Sequence, residues 1–359
     1  MSLDSIQTAC GRLGRLFTID LRVRRAICAG IVGVFGVFGL LIFEAAKADR
    51  TLRLPTPGRG LLNHYGFHAC FLSAPLVILT AYTAVACYLR LLNGIDVILT
   101  PDADREHVSE IITRYLRSLF LKDKWRGALG LLMFIGVAFS IATFRQLKHP
   151  VAFWGDDVFN AAQYHSGYIT ANILLFITWS FIYPAGFYSA IHMTISIERI
   201  VNQLRKEELL KLDFLHVDQC GGMAGFGTLN LVIMLIYLGP FAALYALHLT
   251  HRNTYLSLAG GAVIMSVVFI VQSIYGVYWT SKAITKERDA FASSLNRQIE
   301  DVTNLSDNNS SIVLARFAYR DRVLAVRSLP YSSNILLAVN FLRFTPVIAA
   351  AAKAILHRP

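Results

Sequence analysis

Residues 60–89 read GLLNHYGFHACFLSAPLVILTAYTAVACYL, a stretch of thirty residues that contains no Asp, Glu, Lys or Arg. A helix that crosses a bilayer needs about 20 mainly apolar residues. Because lipid offers the backbone no hydrogen-bond partner, such a run predicts a helix that satisfies its own N–H and C=O groups. Five further charge-free runs extend from Ala26 to Phe43, Gly127 to Phe144, Val158 to Ile197, Gln219 to His251 and Asn253 to Ser281.

The composition is typical of a membrane protein. Of the 359 residues 55% are hydrophobic, and the mean hydropathy is +0.50, which is unusual for a soluble domain. We therefore predict an all-α, polytopic membrane protein with about six transmembrane helices and cytosolic helical extensions. In this interpretation residues 1–281 form the transmembrane domain, and residues 282–359 form a cytosolic helical C-terminal region.

The Lys and Arg residues predict the orientation of the spans. When the segments between the six runs are assigned alternately to the two sides, 27 of the 34 Lys and Arg residues fall on one side and 7 on the other. Cytoplasmic segments carry the excess of basic residues, so both termini are predicted to be cytosolic. The same rule accounts for the net charge of +11, which could otherwise indicate a nucleic-acid-binding protein.

Two cytosolic loops, at about residues 90–126 and 198–227, are predicted to be helical. Residues 100–102, Thr-Pro-Asp, combine a capping side chain with a proline suited to the first turn, which predicts the start of a helix. Residues 198–212 are expected to prolong the fourth span as a helix. The sixth span is expected to extend to Leu305.

The C-terminal apolar segment, residues 332–356, is predicted to be an interfacial or re-entrant helix pair. Arg343 interrupts it, and a charge at the membrane centre costs at least about 2.5–3.5 kcal/mol. Pro346 would kink or end a helix. The alternative is a seventh span, which would place the C-terminus on the outer side.

Hydroxyl and amide side chains within the spans are candidates to line a water-filled pore. No carboxylate or Lys lies within any of the six runs, whereas proton- and sodium-coupled carriers usually need an ionisable group there. The alternative for each polar residue is a hydrogen bond to another helix or to its own backbone. The pore-lining candidates are Thr80, Thr83, Asn172, Thr178, Asn230 and Gln272.

A glycine-rich loop precedes the fifth apolar helix. Residues 215–227 read LHVDQCGGMAGFG, with four glycines in the last seven positions. Glycine permits backbone conformations that other residues avoid, and Asp218 is suited to cap the following helix. The loop is either a tight turn into the span or a gate at its cytosolic mouth, formed by His216, Asp218, Gly221 and Gly222.

This loop resembles the pattern H-P-D-x-x-G-G-x-G-x-x-G of poorly characterised bacterial multi-pass inner-membrane proteins, with Val217 at the position of the proline. The resemblance implies a bacterial inner membrane. In size, basic C-terminal region and lack of ionisable pore residues, the chain is also similar to the channel effector of the Hailong anti-phage system. That similarity implies a channel controlled by DNA oligomers, which a partner nucleotidyltransferase makes.

Four arginines in the C-terminal region are candidates to bind an anionic ligand. Arg316, Arg320 and Arg327 would share one face of a helix from Ile312 to Leu329, and Arg322 is close to them. Guanidinium groups bind phosphate with paired hydrogen bonds, which suits a nucleotide or an oligonucleotide. Attraction to anionic lipid headgroups and salt bridges between subunits are the alternatives.

No catalytic, cofactor or metal site is predicted. The sequence has no P-loop, nucleophile-elbow or H-E-x-x-H pattern, and its five cysteines form no C-x-x-C pair. His64 and His68 are four residues apart, and with Asp156 or Asp157 they could bind a divalent cation or sense external pH. Interfacial histidines that bind water are the favoured interpretation.

These observations predict an oligomeric ion channel of the bacterial inner membrane, gated from the cytosolic side. Its expected partners are the lipid bilayer, further copies of the chain, the conducted ions and a nucleotide or DNA oligomer. The alternatives are an uncoupled small-solute transporter and a membrane signalling or scaffold protein.

Overall fold

The computed structural model describes residues 21–48, 50, 52, 61–63, 65–119, 125–146, 173–214, 220–250, 267–303, 310–331, 335–342 and 344. Within these residues the regular secondary structure is helical and no β-strand occurs. One isolated antiparallel bridge joins Leu99 to Leu210. The predicted all-α class is therefore confirmed.

We label the described helices in chain order. They are α1 (Leu21–Ala48), α2 (Tyr65–Asn93), α3 (Arg105–Leu119), α4 (Trp125–Gln146), α5 (Tyr183–Lys206), α6 (Ala224–Thr250), α7 (residues 267–275), α8 (Tyr278–Thr303), α9 (Ser310–Leu324) and α10 (residues 335–342). A π-helical turn, Thr178–Ile182, directly precedes α5.

Four helices in the described part are long and apolar enough to cross a membrane. They cover Arg25–Ala48, Phe67–Asn93, Ile173–Lys206 and Ala224–Ala243, which correspond to the first, second, fourth and fifth charge-free runs. The third run lies in α4, where Leu129–Ala138 forms a shorter apolar helix. Of the sixth run, the structure describes residues 267–281. The count of six spans therefore stays a prediction.

Large apolar side chains are exposed on the surfaces of several of these helices. Leu40 on α1, Leu72 on α2 and Phe134 on α4 expose 66%, 65% and 69% of their surface. Contiguous apolar surface of this kind is rare on soluble monomers, whereas the acyl chains of a bilayer cover it. The long apolar helices and their exposed side chains together indicate a membrane protein.

The buried core of the helical part forms where α2, α5 and α6 meet. A Cβ atom on Gly239 of α6 would lie 2.8 Å from Cγ2 of Val77 on α2, and one on Gly186 of α5 would lie 2.7 Å from Cγ1 of the same valine. Small residues at helix crossings let membrane helices approach closely. The two glycines therefore set how near these helices can pack.

The start of α3 differs from the sequence prediction. The helix expected at residues 100–102 begins at Arg105, and Asp104 caps it by accepting a backbone N–H of the first turn at 2.9 Å. Thr100 is instead paired with the segment after α5, because its N–H donates to Leu209 O at 2.9 Å. A long-range backbone hydrogen bond thus outweighs the local capping pattern.

The predicted helix at residues 198–212 was too long. α5 ends at Lys206, and Glu208 has the left-handed backbone φ of +58°. Lys211 then donates its N–H to Ile98 O at 2.9 Å. This pairing turns the chain away from the helix axis and holds it beside the segment that follows α2.

The C-terminal region contains a helical hairpin made of α8 and α9. α8 is described as far as Thr303, and the predicted end at Leu305 lies outside the described residues. The helix predicted from Ile312 to Leu329 ends at Leu324. The prediction that Arg327 shares a helix face with Arg316 and Arg320 is therefore wrong. In the segment 332–356, residues 335–342 are helical as α10, and Arg343 and Pro346 lie outside the described residues.

Candidate functional site: a buried polar cluster at a helix break

The sixth apolar run contains a break between α7 and α8. Gly276 still donates its N–H to Gln272 O, four residues back, but Val277 donates to Ile274 O, only three residues back. A Cβ atom at position 276 would collide with Oδ1 of Asn230 on α6. The side chain of Asn230 therefore occupies the space next to the break, and only glycine fits there.

Four side chains form a buried polar cluster beside this break: Thr194 on α5, Asn230 on α6, Gln272 on α7 and Tyr331 after α9. Nε2 of Gln272 donates to Thr194 Oγ1 at 2.6 Å and to Asn230 Oδ1 at 2.8 Å. Nδ2 of Asn230 donates to the Tyr331 hydroxyl at 2.6 Å, and that hydroxyl donates to Ser273 O at 3.4 Å. Each of these three donor atoms thus has at least one acceptor, as burial requires.

A buried carboxyl group lies beside the first residues of α8, just after the break. Glu198 on α5 is fully buried; its Oε2 accepts the backbone N–H of Trp279 at 2.5 Å, and its Oε1 accepts the Thr280 hydroxyl at 3.1 Å. The break leaves the first N–H groups of α8 without carbonyl partners in their own helix. Glu198 therefore caps α8 from a neighbouring helix, because its oxygens accept hydrogen bonds from the first turn.

Sequence reasoning missed Glu198 because the charge-free run ends at Ile197, and the next residue was assigned to a solvated helix. A signal was present in the spacing. Glu198 precedes Val201 by three residues and falls on the same apolar stripe as Ile197, Val201 and Leu204, all of them buried. A single acid on such a stripe indicates a carboxylate with partners inside the protein.

The segment that follows α9, residues 326–331, connects the α8–α9 hairpin to the apolar helices; we call it the anchor segment. Arg288 of α8 donates to Val326 O at 3.3 Å, and Cys220 Sγ contacts Leu329 O at 3.5 Å. Tyr331 ends the segment inside the polar cluster, with no exposed surface. At Gly227 of α6 an added Cβ would collide with Pro330 O, which shows how closely the two backbones approach.

Three predicted pore-lining hydroxyls bond to their own helix in this structure. Thr80 donates to Leu76 O at 2.7 Å, and Thr83 donates to Leu79 O at 2.8 Å. Thr178, in the π-helical turn, donates to the carbonyl four residues before it at 2.8 Å. Asn230 and Gln272 are brought together in the polar cluster, and Asn172 lies outside the described residues.

The glycine-rich loop is described from Cys220 onward, and His216 and Asp218 lie outside the described residues. Gly221 and Gly222 both adopt positive φ, +69° and +89°, the left-handed region that favours glycine. An added Cβ at Gly221 would lie 3.0 Å from Cβ of Leu212. These two glycines form a tight turn immediately before α6.

The four candidate ligand-binding arginines have different environments. Arg316 donates to Gln298 O at 2.6 Å, and Arg320 donates to Asn296 Oδ1 at 3.3 Å, so both fasten α9 to α8. Arg327 donates to Tyr331 O at 3.2 Å within the anchor segment. Arg322 is exposed to solvent on α9.

Two acidic groups outside the apolar helices have shifted pKa values. His107 Nε2 lies 2.6 Å from Glu207 Oε2, and hydrogen bonds from His107 and Gln203 hold the pKa of the Glu207 carboxyl below its usual value. On α8, burial raises the pKa of Glu287 above its usual value. Within the described residues, no group of three or more His, Cys, Asp or Glu side chains is arranged to hold a metal ion.

The comparisons with known proteins identify no relative. No protein-family model matches this chain, and no curated protein or solved structure matches it.

Proposed function

We propose that the chain is a multi-pass inner-membrane protein that forms a gated ion pathway as a homo-oligomer. It crosses the membrane six times, and both termini are cytosolic. The four long apolar helices support the membrane location. The excess of Lys and Arg on one side of the six charge-free runs supports the orientation.

The observation that carries the proposal is the insertion of Tyr331 into the polar cluster at the α7–α8 break. Through this residue the charged α8–α9 hairpin is joined to Asn230 and Gln272, which are buried between apolar helices. A hairpin that moves must break the Asn230–Tyr331 hydrogen bond or move α6 with it. In this proposal the contact is made in one arrangement and broken in the other, which is the pair of states that gating requires.

In this proposal the described structure represents a closed state. The side chains able to coordinate ions are satisfied: Thr80 and Thr83 by their own helix, Asn230 and Gln272 by each other and by Tyr331. Withdrawal of the anchor segment would remove the partner of the Asn230 amide. Asn230 and Gln272 would then become available to water and ions along the break.

The gating ligand in this proposal is an anionic nucleotide or DNA oligomer that binds α9 from the cytosol. Arg322 is the exposed guanidinium among the four candidates, whereas Arg316 and Arg320 hold α9 on α8. A ligand phosphate that recruits Arg316 or Arg320 would have to loosen the hairpin. That coupling would transmit ligand binding to Tyr331.

An uncoupled transporter is the second candidate, and the break itself favours it. Transporters often bind solutes at the interruption of a helix, where polar groups are close to free backbone ends. The α7–α8 break places Asn230, Gln272 and the capped N-terminus of α8 at one location. A transporter would give saturable uptake of one solute and no single-channel currents.

Ion flux into liposomes tests the proposal. The purified full chain is reconstituted, a potassium gradient is applied, and flux is followed with a potential-sensitive dye, with and without nucleotides or short DNA oligomers. Flux above that of protein-free liposomes supports an ion pathway. Absence of flux under every condition, with the protein shown to be folded and inserted, would exclude it.

A further inference from the structure

The exposed surface of α7 continues past the helix break onto α8. Its exposed side chains recur at helical spacing along the apolar helix and through the break. They are Val267, Ile270, Val271, Ile274, Tyr275 and Tyr278, with 43–57% of each exposed. The next position of this face is the exposed Lys282. The face therefore changes from apolar, to aromatic, to basic in the direction that leads out of the apolar run.

Two cations meet on one indole ring at the end of this face. The guanidinium carbon of Arg205, from the last turn of α5, lies 5.2 Å from the centre of the Trp279 ring, and Nζ of Lys282 lies 5.1 Å from it. The two charges are therefore no more than about 10.3 Å apart, the sum of these two distances. Lys282 also lies 5.9 Å from the ring of Tyr278.

Neither cation has an anionic partner among the described residues. Arg205 donates to the amide oxygen of Asn202 at 3.0 Å, and Lys282 forms no ion pair there. Glu198 also contacts Trp279, but its two oxygens accept the N–H of Trp279 and the hydroxyl of Thr280. The described residues therefore place two positive charges close together without a carboxylate that pairs with either of them.

We propose that this surface binds an acidic phospholipid. The phosphate lies at Arg205 and Lys282, and an acyl chain lies along the exposed face of α7. Tyr278 and Trp279 sit between them, at the depth where aromatic side chains are enriched in membrane proteins. We call this surface the headgroup site.

The position of the headgroup site in the sequence argues for a lipid rather than a soluble anion. Lys282 directly follows the sixth charge-free run, and Arg205, eight residues after the fourth run, meets it at the Trp279 ring, so both lie where the chain leaves the hydrocarbon. A soluble phosphate would need the cations but would have no use for the apolar face that leads to them. A basic side chain near a membrane surface attracts acidic lipid with about 1 kcal/mol.

Lipid binding to the purified full chain tests this inference. The protein in mild detergent is titrated with phosphatidylglycerol or with phosphatidylcholine of the same acyl chains, and bound lipids are counted by native mass spectrometry. We expect preferential retention of phosphatidylglycerol. Lys282→Gln and Arg205→Gln should each weaken it about fivefold, the factor that corresponds to about 1 kcal/mol. Lys282→Arg, which keeps the charge, should restore it.

Lys211→Gln is the matched control, because Lys211 is an exposed cation in the loop after α5 and is not one of the two cations on the indole ring. Its retention of phosphatidylglycerol should equal that of the unmodified chain. Equal loss in Lys211→Gln would mean that net charge alone attracts the lipid, and unchanged retention in Lys282→Gln would also overturn the headgroup site. If inorganic phosphate displaces the lipid at equal concentration, the site takes a free anion and the lipid assignment is wrong.

Discussion

The side-chain amide of Asn230 donates a hydrogen bond of 2.6 Å to the phenolic oxygen of Tyr331, which lies 101 residues further along the chain. Both side chains are buried, at 1% and 0% exposure. Asn230 belongs to an apolar helix, whereas Tyr331 ends the segment that follows a charged hairpin. This hydrogen bond is therefore a direct connection between the two chemically different parts of the molecule.

Removing the Tyr331 hydroxyl should destabilise the protein. In Tyr331→Phe the N–H of Asn230 loses its acceptor while it stays buried, which costs about 1–3 kcal/mol of the free energy of unfolding. Denaturant titration in detergent micelles measures the loss. Tyr319→Phe is the control, because Tyr319 is half-buried on α9, contacts the Phe291 ring and has no hydrogen bond in the described structure.

A double-mutant cycle between Asn230→Ala and Tyr331→Phe separates the hydrogen bond from other losses. Side chains in contact within one network give coupling energies of about 0.5–3 kcal/mol. Strictly additive effects of the two substitutions would contradict the contact.

Two glycines in the first turn of α6 should respond differently to alanine. A Cβ at Gly227 would collide with the backbone carbonyl of Pro330, whereas one at Gly225 would meet only the Leu91 side chain at 3.5 Å. Gly227→Ala should therefore displace the anchor segment, and limited proteolysis should cut near residue 330 faster. Gly225→Ala should show the unmodified cleavage rate and gain about 0.5–1 kcal/mol from its helical position. Equal proteolysis of both variants would argue against the close approach.

Glu198 should protect the first turn of α8. In Glu198→Gln one of the two acceptor oxygens is replaced by an NH₂ group, so either the Trp279 N–H loses its acceptor or the hydrogen bond with the Thr280 hydroxyl has to reverse its direction. Hydrogen exchange of a peptide that covers residues 278–284 should become faster, and faster still in Glu198→Ala. Glu300→Gln, at an exposed acid on α8, should leave that peptide unchanged. Unchanged exchange in Glu198→Ala would show that the carboxylate does not cap α8.

The pair of His107 and Glu207 should make stability depend on pH in the acidic range. Because the pKa of Glu207 is lowered in the folded state, its contribution is present above the unfolded value of about 4.3 and is lost as pH falls through the lowered pKa. The pair is partly exposed, so its contribution is only a few tenths of a kcal/mol. Glu207→Gln should lower the melting temperature slightly at about pH 5.5, and this difference should shrink as the pH falls below the unfolded value.

Glu287→Gln should change the stability in the opposite direction to Glu207→Gln. Its raised folded pKa means that the folded state binds the proton more readily, so this group favours folding as pH falls from the raised pKa towards the unfolded value. Replacing it should raise stability at neutral pH and matter less in acid. If Glu207→Gln and Glu287→Gln shifted the melting temperature in the same direction, the opposite pKa shifts of the two carboxyl groups would be contradicted.

The sequence predicted the parts of this protein that depend on local composition. Charge-free runs identify the apolar helices, because a bilayer penalises charge wherever it occurs in the run. The same rule failed at Glu198, since counting charges does not reveal that a neighbouring helix supplies N–H donors. Thr100 was misplaced for a related reason, because its N–H bonds Leu209 O, a backbone group far away in sequence. Arg327 was misplaced because α9 ends at Leu324, before the arginine is reached.

The sequence predicted two residues of the candidate site, but it did not predict how they are arranged or which residue joins them. Asn230 and Gln272 were selected as polar residues in apolar runs, and the structure brings them together. Their partner Tyr331 was not selected, because a tyrosine next to an apolar C-terminal segment has the sequence context of an interfacial anchor. Only the path of the anchor segment, past Gly227 and into the cluster, places its hydroxyl on Asn230.

Single-channel recording of the purified full chain in planar bilayers, with Tyr331→Phe beside the unmodified protein, tests the central claim most directly. We expect discrete currents from both proteins, with equal unitary conductance and a higher open probability for Tyr331→Phe, because the substitution weakens the contact that holds the closed state. Tyr319→Phe should behave like the unmodified chain. Absence of currents from the folded, inserted proteins would contradict the ion pathway, and equal open probability would contradict the role of Tyr331 in closing it.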